Sequence, residues 1–489
     1  MPASTRGTRR SLSCLATITA IIFGMPVSAQ GTPPATEDAE ALRAEVRRLR
    51  EQLEAVERRL ETLRTSPVAA PRPQPESAVR TPTGTPPPAA AAPGADAGVV
   101  ATADDGFTST PRYAIDVQSA PQPDPDRAAD TPALGETRLR IGGFLKVDGT
   151  LDSGPIGTRD WFVPGTIPVE GPDTRRGGHA GLHTRASRLF AEWRRGSPLG
   201  TVRIYTEGNF LGGDEPTYRH SPHRFQVPQI YGQLGGWTLG RTFTVFMDLD
   251  AFPDTLDFYG PNAAAFVFNT QVRYTHRVGD TWFAASVETP RTLAGCARGI
   301  VCSGRDPLPD LAARLRREGP WGHLQLALLL RRLGAFSPGA GTDTTTGTGL
   351  LWTGSLRREG TRDYLVYGAH AGRGIARYIN DPGYRTDSDG WLDATGTLHA
   401  AAAHGGYLGA THYWNARLRS TFTAGLSWTE RGADPVSSRS RTTYTSGNLI
   451  ADVIDELSLG VETLYGENDL GAARSAEVLR LMFSAQYRF

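Results

Sequence analysis

Lysine is almost absent from this chain of 489 residues: Lys146 is the only one among 52 basic residues. The rest are arginine, a bias that base composition explains and that assigns no function by itself. An excess of charge of either sign is also missing. With 51 acidic residues against 52 basic ones, the chain gives no global signal for a nucleic-acid partner, and none is expected. Beyond residue 24 no run of about 18 apolar residues occurs, so no bilayer-spanning helix is expected after that point. There is no GxSxG, HExxH or P-loop, so the usual signatures of hydrolases, zinc enzymes and nucleotide binders are lacking, and neither a metal nor a cofactor is expected.

The N-terminal third is modular. Arg6, Arg9 and Arg10 precede an apolar run from Cys14 to Gly24, and Val27-Ser28-Ala29 has the small residues of a signal-peptidase site. Residues 1–29 therefore read as a signal peptide, with Gln30 first in the mature chain. Cys14 stands at the front of the apolar run, which argues against lipoprotein acylation. Cys296 and Cys302, in "CARGIVCSG", remain. In an exported chain they can close a small disulfide loop, whereas two thiols without further ligands make a poor metal site.

Residues 30–64 form the next module. Leu42, Val46, Leu49, Leu53, Val56, Leu60 and Leu63 recur at spacings of 4, 3, 4, 3, 4 and 3. That is an a/d heptad seam, and a helix of this length is stable when it associates, so a coiled-coil oligomerisation helix is expected. Residues 65–135 hold 14 of the 35 prolines and too little apolar surface to fold, which predicts an extended linker.

From 136 to 489 the pattern becomes short alternating strands. In "VLRLMFSAQYRF", Leu479, Leu481, Phe483, Tyr487 and Phe489 share one face, and Arg480, Ser484, Gln486 and Arg488 the other. In "TRLRIGGFLKVDGTLD", Leu139, Ile141, Leu145 and Leu151 oppose Arg138, Arg140, Lys146 and Asp148, with Phe144 the exception on the polar side. Val202 and Ile204 oppose Arg203, Tyr205, Glu207 and Asn209, and Phe266, Phe268, Val272 and Tyr274 oppose Asn269, Gln271 and Arg273. A soluble sandwich buries its apolar faces, while a transmembrane barrel turns them to lipid. Export, charged faces strand after strand, and a stretch too long for one sandwich favour the barrel. At roughly 22 residues per strand and connection, about 16 strands are expected.

The words "GFLKVDGTLD" (143–152), "TRASRLFAEW" (184–193), "LGRTFTVFMDLDAFPDTLDFYGP" (239–261), "QVRYTH" (271–276), "GRGIARYIND" (372–381), "HYWNARLRST" (412–421) and the final strand resemble the DcaP-like trimeric outer-membrane porins. The resemblance covers 136–489. It implies a 16-stranded antiparallel barrel in a homotrimer in the bacterial outer membrane, passing small anionic solutes such as dicarboxylates. The long proline-rich linker, the cysteine loop and an arginine-free "FQVPQIYGQL" depart from the family pattern.

Facing assignments place Arg138, Arg140, Lys146, Arg188, Arg203 and Arg273 on the lumenal wall, where they would line the pore and attract anions. Arg185 falls on the outward side of the same register unless a bulge intervenes. Asp148, Glu192 and Glu207 also point inward, so mutual charge pairing is the competing expectation. The connection carrying Asp248, Asp250, Asp254 and Asp257 is too long for a hairpin and is a candidate constriction loop. Tyr487 and Phe489 are expected to close the barrel in the interfacial lipid girdle and to serve as signal for the outer-membrane assembly machinery. His220 and His223 lack a third ligand and read as a solvated loop. Two other functions stand beside the channel: a lipid hydrolase in a barrel, and an envelope tether using the N-terminal module in the periplasm.

Overall fold

The structure is a computed structural model that describes residues 134–213, 223–384, 389–432, 439–471 and 474–489. The signal peptide, the coiled coil and all but the end of the linker lie outside the described residues, as does His220. In the remainder, alternating sequence forms one closed antiparallel sheet. Its strands are β1 (Thr137–Asp152), β2 (Ala180–His183 and Arg188–Ser197), β3 (Gly200–Gly212), β4 (Arg224–Leu234), β5 (Trp237–Phe243), β6 (Phe268–Val278), β7 (Thr281–Glu288) and β8 (Ser303–Arg305 and Asp310–Gly319). They continue as β9 (Gly322–Ser337), β10 (Gly341–Arg357), β11 (Tyr364–Arg373), β12 (Ala402–Tyr413), β13 (Leu418–Glu430), β14 (Arg439–Asp452), β15 (Leu457–Asp469) and β16 (Ser475–Arg488). Because β2 and β8 are each interrupted, the 18 segments of the sheet make a 16-strand barrel.

The ends of the sequence close the barrel. β16 pairs with β1 from Phe144 opposite Arg488 to Asp152 opposite Arg480. Phe489 adds a reciprocal backbone pair with Gly143, each N–H donating to the other's carbonyl at 3.1 Å. Gly143 is needed here, since a Cβ would lie 2.1 Å from the Arg188 carbonyl oxygen. The Tyr487 and Phe489 side chains are exposed on the outer surface.

Burial is inverted relative to a soluble protein. Leu145 is 52% exposed, while its neighbours Phe144 and Lys146 are 3% and 2% exposed. The same holds around the wall, with Leu328, Trp352, Phe422 and Phe483 outside and Gln325, Thr353, Thr423 and Arg480 inside. An apolar outer face of this kind gains by contacting hydrocarbon instead of water, and only a closed ladder satisfies every backbone group there.

One end of the barrel has tight turns, including Gly235-Gly236 and Gly279-Asp280, where Gly235 and Gly279 take φ of 56° and 59°. The other end carries the long connections 153–179, 244–267 and 374–401. In outer-membrane barrels the short turns face the periplasm. At the long-loop end, Ala294–Cys296, Gly390–Leu392 and Leu398–Ala400 form a small three-stranded sheet, and Cys296 and Cys302 are disulfide-bonded beside it.

Two facing expectations change. Residues 184–187 leave the strand between the two arms of β2, so Arg185 turns inward, bonds to Asp160 and donates to the Gly213 carbonyl at 2.7 Å. Phe266 lies before β6, not on it, and is buried in an aromatic cluster with Phe243 and Phe252.

Candidate functional site

The connection between β5 and β6 lies inside the barrel. Its apolar side chains have two docking places: Val245 and Phe246 pack with Leu329 and Leu351, and Leu256 packs with Tyr444, Ile450, Leu464 and Met482. Pro253 and Pro261 and the positive φ of Gly260 (69°) prevent this segment from continuing as strand.

The carboxylates hold the loop against the wall. Asp248 accepts from Asp250 N at 3.2 Å, capping the short turn Leu249–Ala251. The same carboxylate meets Arg316 Nη1 at 2.9 Å on β8, His323 Nε2 at 2.7 Å on β9 and Thr353 Oγ1 at 2.7 Å on β10. Asp250 takes the other Arg316 nitrogen at 2.6 Å. Farther along, Asp254 accepts from Arg419 Nε at 2.5 Å, and Arg419 also donates to Asp452 at 2.9 Å. Leu256 N and Asp257 N donate to Glu462 Oε2 on β15 at 2.8 and 2.9 Å, and Lys146 Nζ donates to the Leu256 carbonyl at 2.9 Å. The loop is thus fastened from β7, where Glu288 accepts from Thr244 and Val245 N, round to β1.

Burial works against ionisation of Asp248, but His323, Arg316 and the Thr353 hydroxyl outweigh it and hold the carboxyl well below its usual range. Asp257 goes the other way. Burial pushes it up to about 7, against the opposing pull of Arg480, the Phe162 N–H and Lys146. Its Oδ1 accepts from Phe162 N at 3.0 Å, which ties the 153–179 connection to the same loop.

Since Asp257 holds its proton to a higher pH docked than released, docking is strongest below the ordinary carboxyl range and weakens as pH rises toward and through 7. Brief current fluctuations of single channels should therefore increase from acidic to mildly alkaline pH. In Asp257→Asn their pH dependence should be weaker, and an unchanged pH response in that variant would remove Asp257 as the cause.

Three of the basic residues expected from sequence lie on β1 to β3, where Lys146 also reaches the loop and Arg188 stands 5.5 Å from the Phe258 ring centroid. Lys146 bonds to Asp148 at 2.7 Å, Arg188 to Glu207 at 2.8 Å, and Arg203 to Glu192. Arg203 also donates to Gln233 at 2.7 Å and lies 5.5 Å from the Tyr231 ring centroid. These three are inward-facing but charge-compensated. Arg138 is exposed at the short-turn end beside Glu136 at 2.8 Å, and Arg140 stands there over the Phe190 ring, away from the others.

Arg273 differs. It faces inward from β6, its Nε has no hydrogen-bond partner, and it makes no ion pair among the described residues. One further arginine shares that condition: Arg314 on β8, with a buried and unpartnered Nε. Arg273 lies opposite Ser286, and Ser286 opposite Ala312, one inward position from Arg314. The nearby Glu288 is occupied by Thr244, Val245 N, Asn269 and Ser286. Sequence reading missed Arg314 and Arg316, although "DLAARLRR" has the required alternation, with Leu311 and Leu315 outside and Ala312, Arg314 and Arg316 inside.

Beside the loop is a cavity of about 620 Å³, lined by Trp161, Phe258, Tyr259, Asn269, Arg291 and Arg377 among others. Trp161 and Tyr259 stack at 5.6 Å. His223 contacts Thr184 at 3.2 Å. Among the described residues no group of three or more His, Cys, Asp or Glu side chains is placed to hold a metal ion.

A 16-strand barrel with an apolar exterior, a polar interior and an inward-folded loop defines the class of outer-membrane channels. The sequence model of the DcaP outer membrane protein family matches residues 133–489, and the chain belongs to that family. Among solved structures, the outer membrane channel DcaP of Acinetobacter baumannii is similar at a TM-score of 0.62 and 19% identity, over 73% of this chain and 100% of that one. The anion-selective porin from Comamonas acidovorans aligns at a TM-score of 0.46 and 12% identity, over 72% and 100%. OmpT of Vibrio cholerae, an outer-membrane protein, aligns at 0.47 and 9%, over 74% and 100%. No curated protein matches the chain.

Proposed function

We propose that this protein is a diffusion channel for small hydrophilic solutes that favours organic anions such as dicarboxylates, acts without enzymatic chemistry and works as a homotrimer. The observation that carries the anion preference is the Arg273 and Arg314 pair on the lumenal wall. The loop carboxylates Asp248, Asp250 and Asp254 are bound to Arg316, His323 and Arg419, and none of them bonds to Arg273 or Arg314. Fixed cations on the wall of a narrow passage lower the barrier for anions, and a guanidinium pair matches two carboxylates of one solute. Lys146, Arg188 and Arg203, being paired, stiffen the wall and contribute less to selectivity.

Liposome swelling tests the solute class. Proteoliposomes should swell faster in a sodium dicarboxylate than in an uncharged sugar of similar size, and equal rates would contradict the preference. The trimer is what the resemblance to the DcaP-like porins implies, and the mass of the detergent-solubilised complex checks it. We further propose that residues 30–64, expected from their heptad spacing to form a coiled coil, lie in the periplasm and serve assembly or tethering. Deleting residues 30–135 distinguishes these roles: loss of the trimer assigns assembly, and an intact trimer with unchanged conductance assigns tethering.

A further inference from the structure

The outer surface of β8 to β11 changes character abruptly at the long-loop side of the lipid belt. On β9 the outward residues Leu324, Leu326, Leu328 and Leu330 are all exposed, as are Leu350 and Trp352 on β10. The next outward position on β9 is Arg332, and the next ones on β10 are Thr348, Thr346, Thr344 and Thr342. Arg373 of β11 is opposite Thr348, and Arg305 of β8 is opposite Gly334, two positions beyond Arg332. Three arginines and a threonine ladder therefore share one patch of the outer face, at the edge of the apolar belt.

Their contacts leave positive charge available. Arg332 donates to Thr346 Oγ1 at 3.0 Å and Thr344 Oγ1 at 2.6 Å, which fixes its guanidinium along the surface. Arg305 stands 5.2 Å from the Phe336 ring centroid. Neither has a carboxylate within ion-pair distance among the described residues. Arg373 donates to the Ala400 carbonyl at 3.1 Å and has Glu430 at 3.6 Å, leaving its side chain 63% exposed. Elsewhere on the rim the balance differs, since Arg441 is neutralised by Asp469 at 2.9 Å and Glu467 at 3.5 Å.

Cations placed just beyond a hydrocarbon-facing belt meet the headgroup layer, and guanidinium forks bind phosphate oxygens in pairs. With the short turns toward the periplasm, this patch lies at the outer leaflet. We propose that Arg305, Arg332 and Arg373, with the Thr344 and Thr346 hydroxyls, bind the phosphate groups of a phosphorylated glycolipid of the outer leaflet, one per protomer.

Native mass spectrometry of the full-chain protein in detergent, titrated with purified bis-phosphorylated lipid A, tests this. The unaltered protein should retain one lipid per protomer. R305A/R332A should bind about tenfold more weakly, as should the unaltered protein toward dephosphorylated lipid A. R439A/R441A, on the neutralised part of the rim, should bind normally. Heat-modifiable migration reports folding of each variant, and Thr346→Glu gives the same expected loss while keeping every arginine. Normal binding by R305A/R332A or by T346E, or equal retention of the dephosphorylated lipid, would overturn the proposal. Displacement by equimolar inorganic phosphate would also overturn it, because a free anion site and not a lipid site would then be present.

Discussion

Replacing Asp248 and Asp254 together by alanine should at least double single-channel conductance, by roughly the factor expected when an inward-folded loop leaves a wide barrel. The two carboxylates clamp the loop at separate points. Asp248 binds Arg316, His323 and Thr353 on β8 to β10, whereas Asp254 binds Arg419 on β13. Removing one partner of a buried charge pair costs about 3–5 kcal/mol, because the other charge is stranded. Two such losses exceed what the Leu256 and Phe246 packing restores at a displaced position. The barrel should persist, since its ladder is independent of the loop, and heat-modifiable migration would show it. Unchanged conductance in the folded double variant would mean that this segment does not set the narrowest passage.

Charge reversal at Arg273 and Arg314 should have the other large effect. R273E/R314E should convert an anion-preferring pore to a cation-preferring one and slow dicarboxylate flux by about tenfold or more, as fixed charges in a low-dielectric passage act strongly on ion entry. R203E is the informative contrast. Arg203 already has Glu192, Gln233 and Tyr231 as partners, so its replacement should disturb the wall and reduce folding yield more than it changes ion preference. If R203E alone reversed selectivity and R273E/R314E did not, the compensated arginines would be the selective ones.

Much of the fold was legible because a strand's period of two is a local property. The final strand illustrates this: Leu479, Phe483 and Tyr487 are exposed outside, and Arg480, Ser484 and Gln486 are buried inside, as their alternation implied. Family likeness then fixed the strand number, which alternation only approximated. The site was less legible for reasons of register. Alternation showed that Arg203 and Glu192 share a face, but only pairing of β2 with β3 brings them into contact. For Arg185 alternation left two readings, outward or turned by a bulge, because a break at 184–187 has no strong sequence signal and a one-residue shift exchanges the two faces; the break is present and Arg185 is inside. The loop acids stood out by composition, yet their partners Arg316, His323 and Arg419 lie on distant strands. Arg314 escaped notice because the adjacent Arg316 and Arg317 in "LAARLRREG" obscure the alternation.

The most direct measurement is the reversal potential of the purified, unaltered protein in a planar bilayer under a tenfold salt gradient. A channel whose unpaired lumenal charges are Arg273 and Arg314 should give a potential of the sign set by anion permeation, shifting toward zero in R273A/R314A. A cation-selective potential, or an anion-selective one untouched by that double substitution, would contradict the account.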